Sequence, residues 1–446
     1  MQQTIYIRLS AICFLAMTTL PVHHALAAAK TTAVNTAQSS AQLQQQIDTM
    51  KHDYDRRLRR MEKRLKQTQA ATRTIKPNAF NPAISLVLTG LYASYSNNPD
   101  NYTLPAFALG NEAGLDTEGF SLGESEITMG SNVDQNFYGQ ATFSFGNEKG
   151  NTTISVEEAF FETIGLPHGL HVKAGRFFSA MGYINGKHSH AWDFNDAPLV
   201  YRGMFGDQLK EEGVQASWIL PTDHYILLGG ELGNGVQYPS ADSQTGVGDW
   251  VAYLKTGGDI NLSNSWELGV SHWQAGDINK RQTFNPVGAD SIFSGNSKID
   301  GLDFVYKWAP NGNPLQHNFK FQWEYFNRLE DGQLTLNTTS LVSSYAGHQS
   351  GWYAQGVYQF IPNWTTGLRY DRLDSNNSGN NQSVLDQAGL SNTHTPQRTS
   401  VMLSWQASHF SRIRAQYNYD ESTANSDNQL LIQYTMVMGA HGAHAY

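Results

Sequence analysis

Residues 410–438 read FSRIRAQYNYDESTANSDNQLLIQYTMVM, and apolar and polar side chains alternate in both halves of this stretch. In the first half Ile413 stands beside Arg414, and in the second half Ile432 stands beside Gln433. A period of two residues is typical of a β-strand, whose successive side chains point to opposite faces. The polar run ESTANSD separates the halves. The stretch therefore predicts two consecutive antiparallel strands, each with one apolar and one polar face.

The same period recurs along the chain from residue 83 and predicts sixteen strands. They are 83–95, 119–133, 137–146, 152–164, 170–180, 209–220, 223–233, 246–257, 263–274, 299–309, 316–328, 350–360, 363–373, 397–407, 410–420 and 428–438. Every second connection is short, whereas the others include long polar stretches at 97–118, 181–208, 275–298, 329–349 and 374–396. Outer-membrane barrels have an even strand number, short turns at one end and long loops at the other. The pattern favours an all-β, 16-stranded antiparallel transmembrane β-barrel over a secreted β-sandwich.

Composition agrees with a barrel. Charged residues make up only 15% of the 446 residues, aromatic residues 12%, and the mean hydropathy is −0.45. Beyond residue 30 no apolar run is long enough to cross a membrane as a helix, which argues against a helical membrane protein. Aromatic residues near predicted strand ends suit an interfacial girdle: Tyr92, Tyr95, Trp218, Trp250, Trp266, Trp308, Trp352 and Trp364.

The region before the barrel divides into three predicted segments. Residues 1–27 have the basic start, apolar run and small-residue cleavage site of a signal peptide, and residues 28–40 form a linker. Apolar residues then recur every three or four positions over 41–76, which predicts a periplasmic α-helical coiled coil. This helix carries ten basic and four acidic side chains, whereas 18 basic and 35 acidic side chains follow residue 76. The helix is interpreted as an oligomerisation or cell-wall contact, or as a solvated spacer.

Alternation also predicts which charged side chains face the lumen of a barrel over 80–446. The candidates are Arg369, Arg412, Arg414, Lys307, Lys320, Glu124, Glu126, Asp303 and Glu324. Arginines gathered in a pore attract anions such as carboxylate or hydroxamate chelates. The alternative is that mixed charges pair across the lumen and only hold water and shape.

The connector 181–208 is rich in aromatic and apolar residues for an exposed loop, so it is a candidate to fold into the barrel and constrict it. Its candidate residues are His188, His190, Asp193, Asp196 and Arg202. A His-x-His pair near a carboxylate is compatible with a metal site, although hydrogen bonding alone also explains it. His441 and His444 allow the same two interpretations. The metal, if there is one, stays unknown.

Enzymatic chemistry finds little support. The only cysteine, Cys13, lies in the signal peptide, and the chain contains no phosphate-binding loop. A Gly-x-Ser-x-Gly sequence occurs at 119–123, but it opens a predicted strand and does not lie at the strand-to-helix turn of a nucleophile elbow. We expect no enzyme activity and no cofactor.

Five stretches of the sequence resemble the siderophore porin family typified by the legiobactin receptor. They are 80–88 (FNPAISLVL), 118–126 (EGFSLGESE), 174–178 (AGRFF), 188–194 (HSHAWDF) and 439–444 (GAHGAH). The resemblance implies a sixteen-stranded outer-membrane barrel that admits a ferric siderophore.

The sequence thus predicts an outer-membrane channel of a Gram-negative bacterium that takes up a small solute, with a ferric siderophore as the first candidate. The 52 residues 28–79 are too few for the plug domain of an energised receptor, so uptake without a plug is expected. A general or sugar/anion-selective porin and a structural barrel tethered to the cell wall are the alternatives. Expected partners are the solute, outer-membrane lipid and a second copy or the cell wall through 41–76. A secreted protein with an acidic body is not expected to bind nucleic acid.

Overall fold

The computed structural model describes residues 82–110, 113–148, 151–242 and 246–439. The predicted signal peptide 1–27, linker 28–40 and coiled coil 41–76 lie outside the described residues, as do His441 and His444.

The described residues form one sheet that closes on itself, in which sequential neighbours pair antiparallel and the last strand pairs with the first. The strands are β1 (Ala83–Tyr95), β2 (Gly119–Leu122), β3 (Ser125–Asn132), β4 (Phe137–Glu148), β5 (Asn151–Thr163), β6 (Leu170–Phe178), β7 (Lys210–Ile219), β8 (Tyr225–Gly233), β9 (Asp249–Asn261), β10 (Asn264–Thr283), β11 (Ser291–Trp308), β12 (Asn318–Leu336), β13 (Val342–Ile361), β14 (Trp364–Ser375), β15 (Gln397–Ser408), β16 (Ser411–Glu421) and β17 (Asp427–Gly439). β2 and β3 both pair with β1 and are two parts of one predicted strand, interrupted at residues 123–124. The predicted sixteen-stranded antiparallel barrel is confirmed.

Helical segments are short. In the part of the chain that the structure describes there are two α-helices, α1 (Leu199–Phe205) and α2 (Gln382–Gln387), and four 3₁₀ turns, at Pro99–Asn101, Pro167–Gly169, Ser189–Ala191 and Pro310–Gly312. Among the described residues, no helix has both the length and the apolar character needed to cross a membrane.

The barrel wall is apolar outside and polar inside. On β16, Ile413 and Tyr417 are 40% and 42% exposed, whereas Arg414 and Asn418 are 1% and 0% exposed. A soluble protein has the opposite distribution, because it hides apolar side chains and exposes charged ones. The two-residue period of the sequence is therefore the pattern of a wall between lipid and a polar interior.

Short turns join the strands at one end of the barrel, which we call the short-turn end. Between β13 and β14 only Pro362 and Asn363 intervene, and Asn363 adopts the left-handed conformation (φ 70°) that asparagine tolerates well. Between β3 and β4 the Asp134 carboxylate accepts hydrogen bonds from the Asn136 and Phe137 amides at 2.7 and 3.0 Å.

Four strands are longer than the sequence period indicates. β10 to β13 extend well into the stretches 275–298 and 329–349, which were expected to be loops. The β12–β13 pairing continues outward to Thr335↔Val342, leaving only a tight turn. About ten residues suffice to cross a membrane as a tilted strand, so this part of the wall rises beyond it.

Apolar side chains fill the interior at the opposite, long-loop end. The largest buried cluster joins residues 104–109, α1, residues 384–390 and the outer parts of β10 to β13. An entirely water-filled lumen, which the strand number suggests, is therefore not what the structure shows at this level.

One girdle prediction is wrong. Trp218 and Trp250 are exposed on the outer wall, but Tyr95 is buried inside against Leu91 and Leu431. Tyr92 and Tyr95 differ by three positions on the same strand, so they cannot both face outward.

Candidate functional site

The connection between β6 and β7, residues 179–209 (the inner loop), lies inside the barrel. The Ala180 amide donates to Glu231 on β8, His188 meets Glu158 on β5, and Arg398 on β15 donates to the Ala197 carbonyl. These strands lie on different sides of the closed sheet. The inner loop therefore crosses the interior from wall to wall.

Glu324 on β12 anchors the N-terminal part of the inner loop. Its carboxylate accepts hydrogen bonds from the amides of Tyr183 (2.8 Å) and Ile184 (3.2 Å). The hydroxyl of Tyr201 in α1 donates to it at 2.7 Å, and the hydroxyl of Tyr353 on β13 donates as well. A buried carboxylate needs such donors because it has lost its water. This predicted lumen residue is thus an anchor for the loop.

Gly182 allows the loop to approach this anchor. Its φ is +72°, and a Cβ there would collide with the Tyr201 hydroxyl and the Glu324 carboxylate. The carbonyl oxygen of Gly182 accepts a hydrogen bond from Lys255 on β9 at 2.7 Å. Asp303 on β11 is the register partner of Glu324 and is also buried.

Asp196 anchors the C-terminal part of the inner loop to β14, β15 and β16. Arg369 on β14 and Arg398 on β15 donate to its carboxylate at 2.6 and 2.8 Å, and Gln416 and Asn418 on β16 donate at 2.7 and 3.0 Å. Burial opposes ionisation, but the nearby arginines outweigh it and hold the pKa of Asp196 far below its usual range.

Two other charged residues complete this anchor. Asp371 on β14 accepts from the Leu199 amide at 2.9 Å and from the Arg369 Nε at 3.1 Å. Arg202 of α1 is buried, with its nitrogens 4.0 Å from Asp196 and 3.5 Å from Asp207. Arg369 is therefore neutralised by Asp196 and Asp371 rather than free to form a basic wall.

The two histidines of the inner loop contact glutamates on β3 and β5. His188 Nδ1 lies 3.1 Å from carboxylate oxygens of both Glu126 and Glu157, and Nε2 lies 3.0 Å from Glu158. His190 Nδ1 lies 2.8 Å from the other oxygen of Glu126. Burial disfavours the imidazolium, but the hydrogen bonds with these glutamates raise the pKa of His188 well above its usual range.

A β-bulge brings Glu157 into this group. Thr142 on β4 pairs with Glu158 and the next residue, Phe143, pairs with Val156, so Glu157 is an extra residue in β5. Both consecutive glutamates are consequently buried on the inside. Strict alternation turns only one of them inward, which is why the sequence did not indicate this pair.

Asp193 and Asp196 do not join the histidines. Lys320 on β12 donates to Asp193 at 2.9 Å, and Gln355 on β13 donates to its other oxygen at 2.8 Å. The carboxylates beside His188 and His190 come from the wall instead, and Glu124 reaches the same place, where it accepts a hydrogen bond from Ser189 at 2.6 Å.

Lysines surround Asp193. Lys307 on β11 is the register partner of Lys320, and both side chains are half-buried. The Lys187 Nζ lies 3.5 Å from the centre of the Tyr183 ring. Burial and the ammonium groups of Lys320 and Lys307 lower the pKa of Lys187 to about 7, against the effect of Asp193.

Arg412 and Arg414 on β16 contact neutral groups of the inner loop. Arg412 donates to the His190 carbonyl oxygen at 2.6 Å. Arg414 donates to the Trp192 carbonyl oxygen and the Asn195 side-chain oxygen, both at 2.5 Å. We use the term basic cluster for five side chains: Arg412, Arg414, Lys187, Lys307 and Lys320.

Sequence reasoning missed Glu157, Glu158, Arg398, Gln416 and Asn418. The last three stand at inward-facing positions of predicted strands, so alternation was sufficient to find them. Asp196, which binds all three and Arg369, is more than 170 residues before Arg369 in the chain, and no feature of the sequence links these two residues.

Comparison with known proteins agrees with this fold. Two solved structures are similar, each with a TM-score of 0.50: a loop-deletion mutant of OmpT, an outer membrane protein of Vibrio cholerae (12% identical, 80% of this chain and 99% of that chain), and the outer membrane channel DcaP of Acinetobacter baumannii (10% identical, 80% and 97%). At this identity they share the fold alone. No family model matches the sequence. An uncharacterized protein of Aquifex aeolicus (strain VF5) is 32% identical over 398 residues, 82% of this chain and 80% of that protein. The chain therefore belongs to the family of this Aquifex aeolicus protein.

Proposed function

We propose that the protein is an outer-membrane channel for the uptake of a small solute. The observation that carries this proposal is the inverted wall, apolar outside and charged inside, around an interior that the inner loop crosses. An apolar exterior suits lipid, and a polar interior narrowed by a loop suits selective passage of a hydrophilic solute.

Planar bilayers test the channel directly. We expect stepwise ion current from the purified, folded protein. Heat-denatured protein from the same preparation serves as the control. Absence of current from folded protein would refute the channel and favour a structural barrel tethered to the cell wall.

The solute that we propose is a ferric siderophore, on the strength of the resemblance of the five stretches given above. The basic cluster supports an anionic chelate, since its lysines and Arg412 are half-buried and their charge reaches the interior. The same cluster suits a general anion-selective porin, which is the second candidate.

Uptake in iron-limited cells separates these two candidates. With the gene deleted, we expect loss of growth on a supplied ferric siderophore, restored by the wild-type gene. Uptake that is the same with and without the gene, together with a current that the chelate does not block, would favour the general porin.

The segment 41–76 is proposed as an oligomerisation helix or cell-wall contact in the periplasm. Deleting it and measuring the assembly by native mass spectrometry tests the first role. An unchanged mass would leave the cell-wall contact or a spacer.

A further inference from the structure

The inner loop and the β3–β5 wall bring together a set of side chains that resembles a metal site. One ring nitrogen of His188, one ring nitrogen of His190 and one carboxylate oxygen of Glu126 all lie within 4.8 Å of one another. Glu124, Glu126 and Glu157 form a second set with the same spacing. Glu126 belongs to both sets, so the six groups, Glu158 included, form one continuous cluster.

The donors come from three separate parts of the chain. Glu124 and Glu126 flank the start of β3, Glu157 and Glu158 belong to β5, and the histidines belong to the inner loop. The bulge in β5 is what adds Glu157. The two imidazole rings stack with their centroids 5.6 Å apart, so both face the same wall.

Charge favours a cation in this cluster. Four carboxylates converge on two imidazoles, which leaves an excess of negative charge even when both rings are protonated. Glu126, Glu157 and Glu158 are buried, where unbalanced charge is costly. Glu124 is exposed and offers a path from solvent.

We propose that Glu126, His188 and His190 bind a divalent cation of the zinc type, with Glu157 and Glu124 as additional or alternative ligands. Imidazole nitrogen combined with carboxylate oxygen suits zinc and its neighbours, whereas calcium and magnesium prefer sites made of oxygen alone. The cation links the inner loop to β3, and this role does not depend on what passes through the barrel.

Zinc binding to the full-length, folded protein in detergent tests the proposal. The protein is first treated with a chelator to remove bound metal, and titration calorimetry should then show that one zinc ion binds per chain. Cobalt bound in place of zinc should give an absorption spectrum typical of coordination by imidazole. His441 and His444 are replaced by alanine in every protein compared, because they are a second possible zinc-binding pair.

Two variants and one control locate the site. Glu126→Gln and His190→Gln preserve side-chain size and should each weaken zinc binding about tenfold or more. His272→Ala should leave it unchanged, because His272 pairs with Asp300 at 2.6 Å on exposed parts of β10 and β11. Heat-modifiable gel migration confirms that each variant remains a folded barrel.

The proposal is wrong if the folded parent protein binds no zinc, or if both site variants bind it as tightly as the parent. It is equally wrong if calcium displaces zinc at equal concentration, since imidazole ligands would then not contribute. None of these results depends on ion current, so failure here is distinct from failure of the channel proposal.

Discussion

Replacing Asp196 with asparagine removes the negative charge that holds the C-terminal part of the inner loop against Arg369 and Arg398 of the barrel wall. Arg369 and Arg398 then retain Asp371 as a shared carboxylate partner, with Nε to oxygen distances of 3.1 and 3.5 Å. The new amide also presents N–H groups to two guanidinium groups that accept nothing. Asp196→Asn therefore leaves buried positive charge in excess.

Breaking a buried ion pair from one side costs about 3–5 kcal/mol. Applied to docking of the inner loop, this free energy changes the ratio of docked to undocked loop by roughly two to four orders of magnitude. Trypsin cleavage after Lys187 in the folded barrel reports the undocked population, and mass spectrometry identifies the fragments. We expect the cleavage rate of the variant to rise steeply.

Asp374→Asn is the matched control. Asp374 pairs with Arg372 at 3.0 Å, but the Arg372 and Asp374 side chains are 40% and 47% exposed. Such a pair contributes about 0–1 kcal/mol, so cleavage should stay near the wild-type rate. Equal rates for the two variants would refute the view that Asp196 holds the inner loop.

Three further outcomes follow from the same geometry. Gly182→Ala should speed the same cleavage because its Cβ collides with the Glu324 anchor, whereas Gly186→Ala, whose Cβ meets nothing nearer than 3.9 Å, should not. Because the pKa of Lys187 is lowered to about 7, its ammonium is charged below neutrality and lost above it. Reversal potentials should therefore show anion preference falling as pH rises through neutrality in the wild type, and no such step in Lys187→Met. Lys307→Gln removes a positive charge that lowers this pKa, so the midpoint of the step should move to higher pH; an unmoved midpoint would exclude Lys307 as a cause.

The sequence predicted the barrel well because membrane-spanning strands obey a strong local rule. Each wall residue faces either lipid or the interior, so the two-residue period is visible in the chain itself. The lengths of β10 to β13 were underestimated because their outer parts face no lipid and keep no continuous apolar face on the outside of the barrel; their apolar side chains, such as Leu334 and Leu336, lie inside. There, pairing between partner segments, such as Thr335↔Val342, sets the length instead.

The site was less predictable because it depends on contacts between distant residues. The sequence identified the inner loop and its charged residues, but it associated Asp193 and Asp196 with the histidines by proximity in the chain. In the barrel the loop runs between walls, so these neighbours reach opposite sides. The β5 bulge at Glu157 is a shift in pairing register, and a single sequence does not reveal register.

The inner loop, rather than the overall charge of the barrel, is expected to set the ion preference. Among the buried residues of the strands, carboxylates outnumber guanidinium groups. Many of these carboxylates are occupied by the loop, as Glu324 is by the Tyr183 amide and Glu158 by His188. The groups that remain half-buried around Asp193 are the lysines of the basic cluster.

Replacing residues 183–206 with a short glycine-serine linker should therefore reverse the preference. The carboxylates of Glu126, Glu158 and Glu324 would lose their loop partners and face water, and Lys187 would be absent. We expect larger single-channel conductance and a reversal potential that shifts from anion toward cation preference, most clearly at low salt, where charges are screened least. A matched replacement of residues 337–341, the tight turn between β12 and β13, leaves the interior unchanged. If the inner-loop variant kept its anion preference, the selectivity would have to reside in wall residues such as Arg412 and Lys320, and the loop would act only as a constriction.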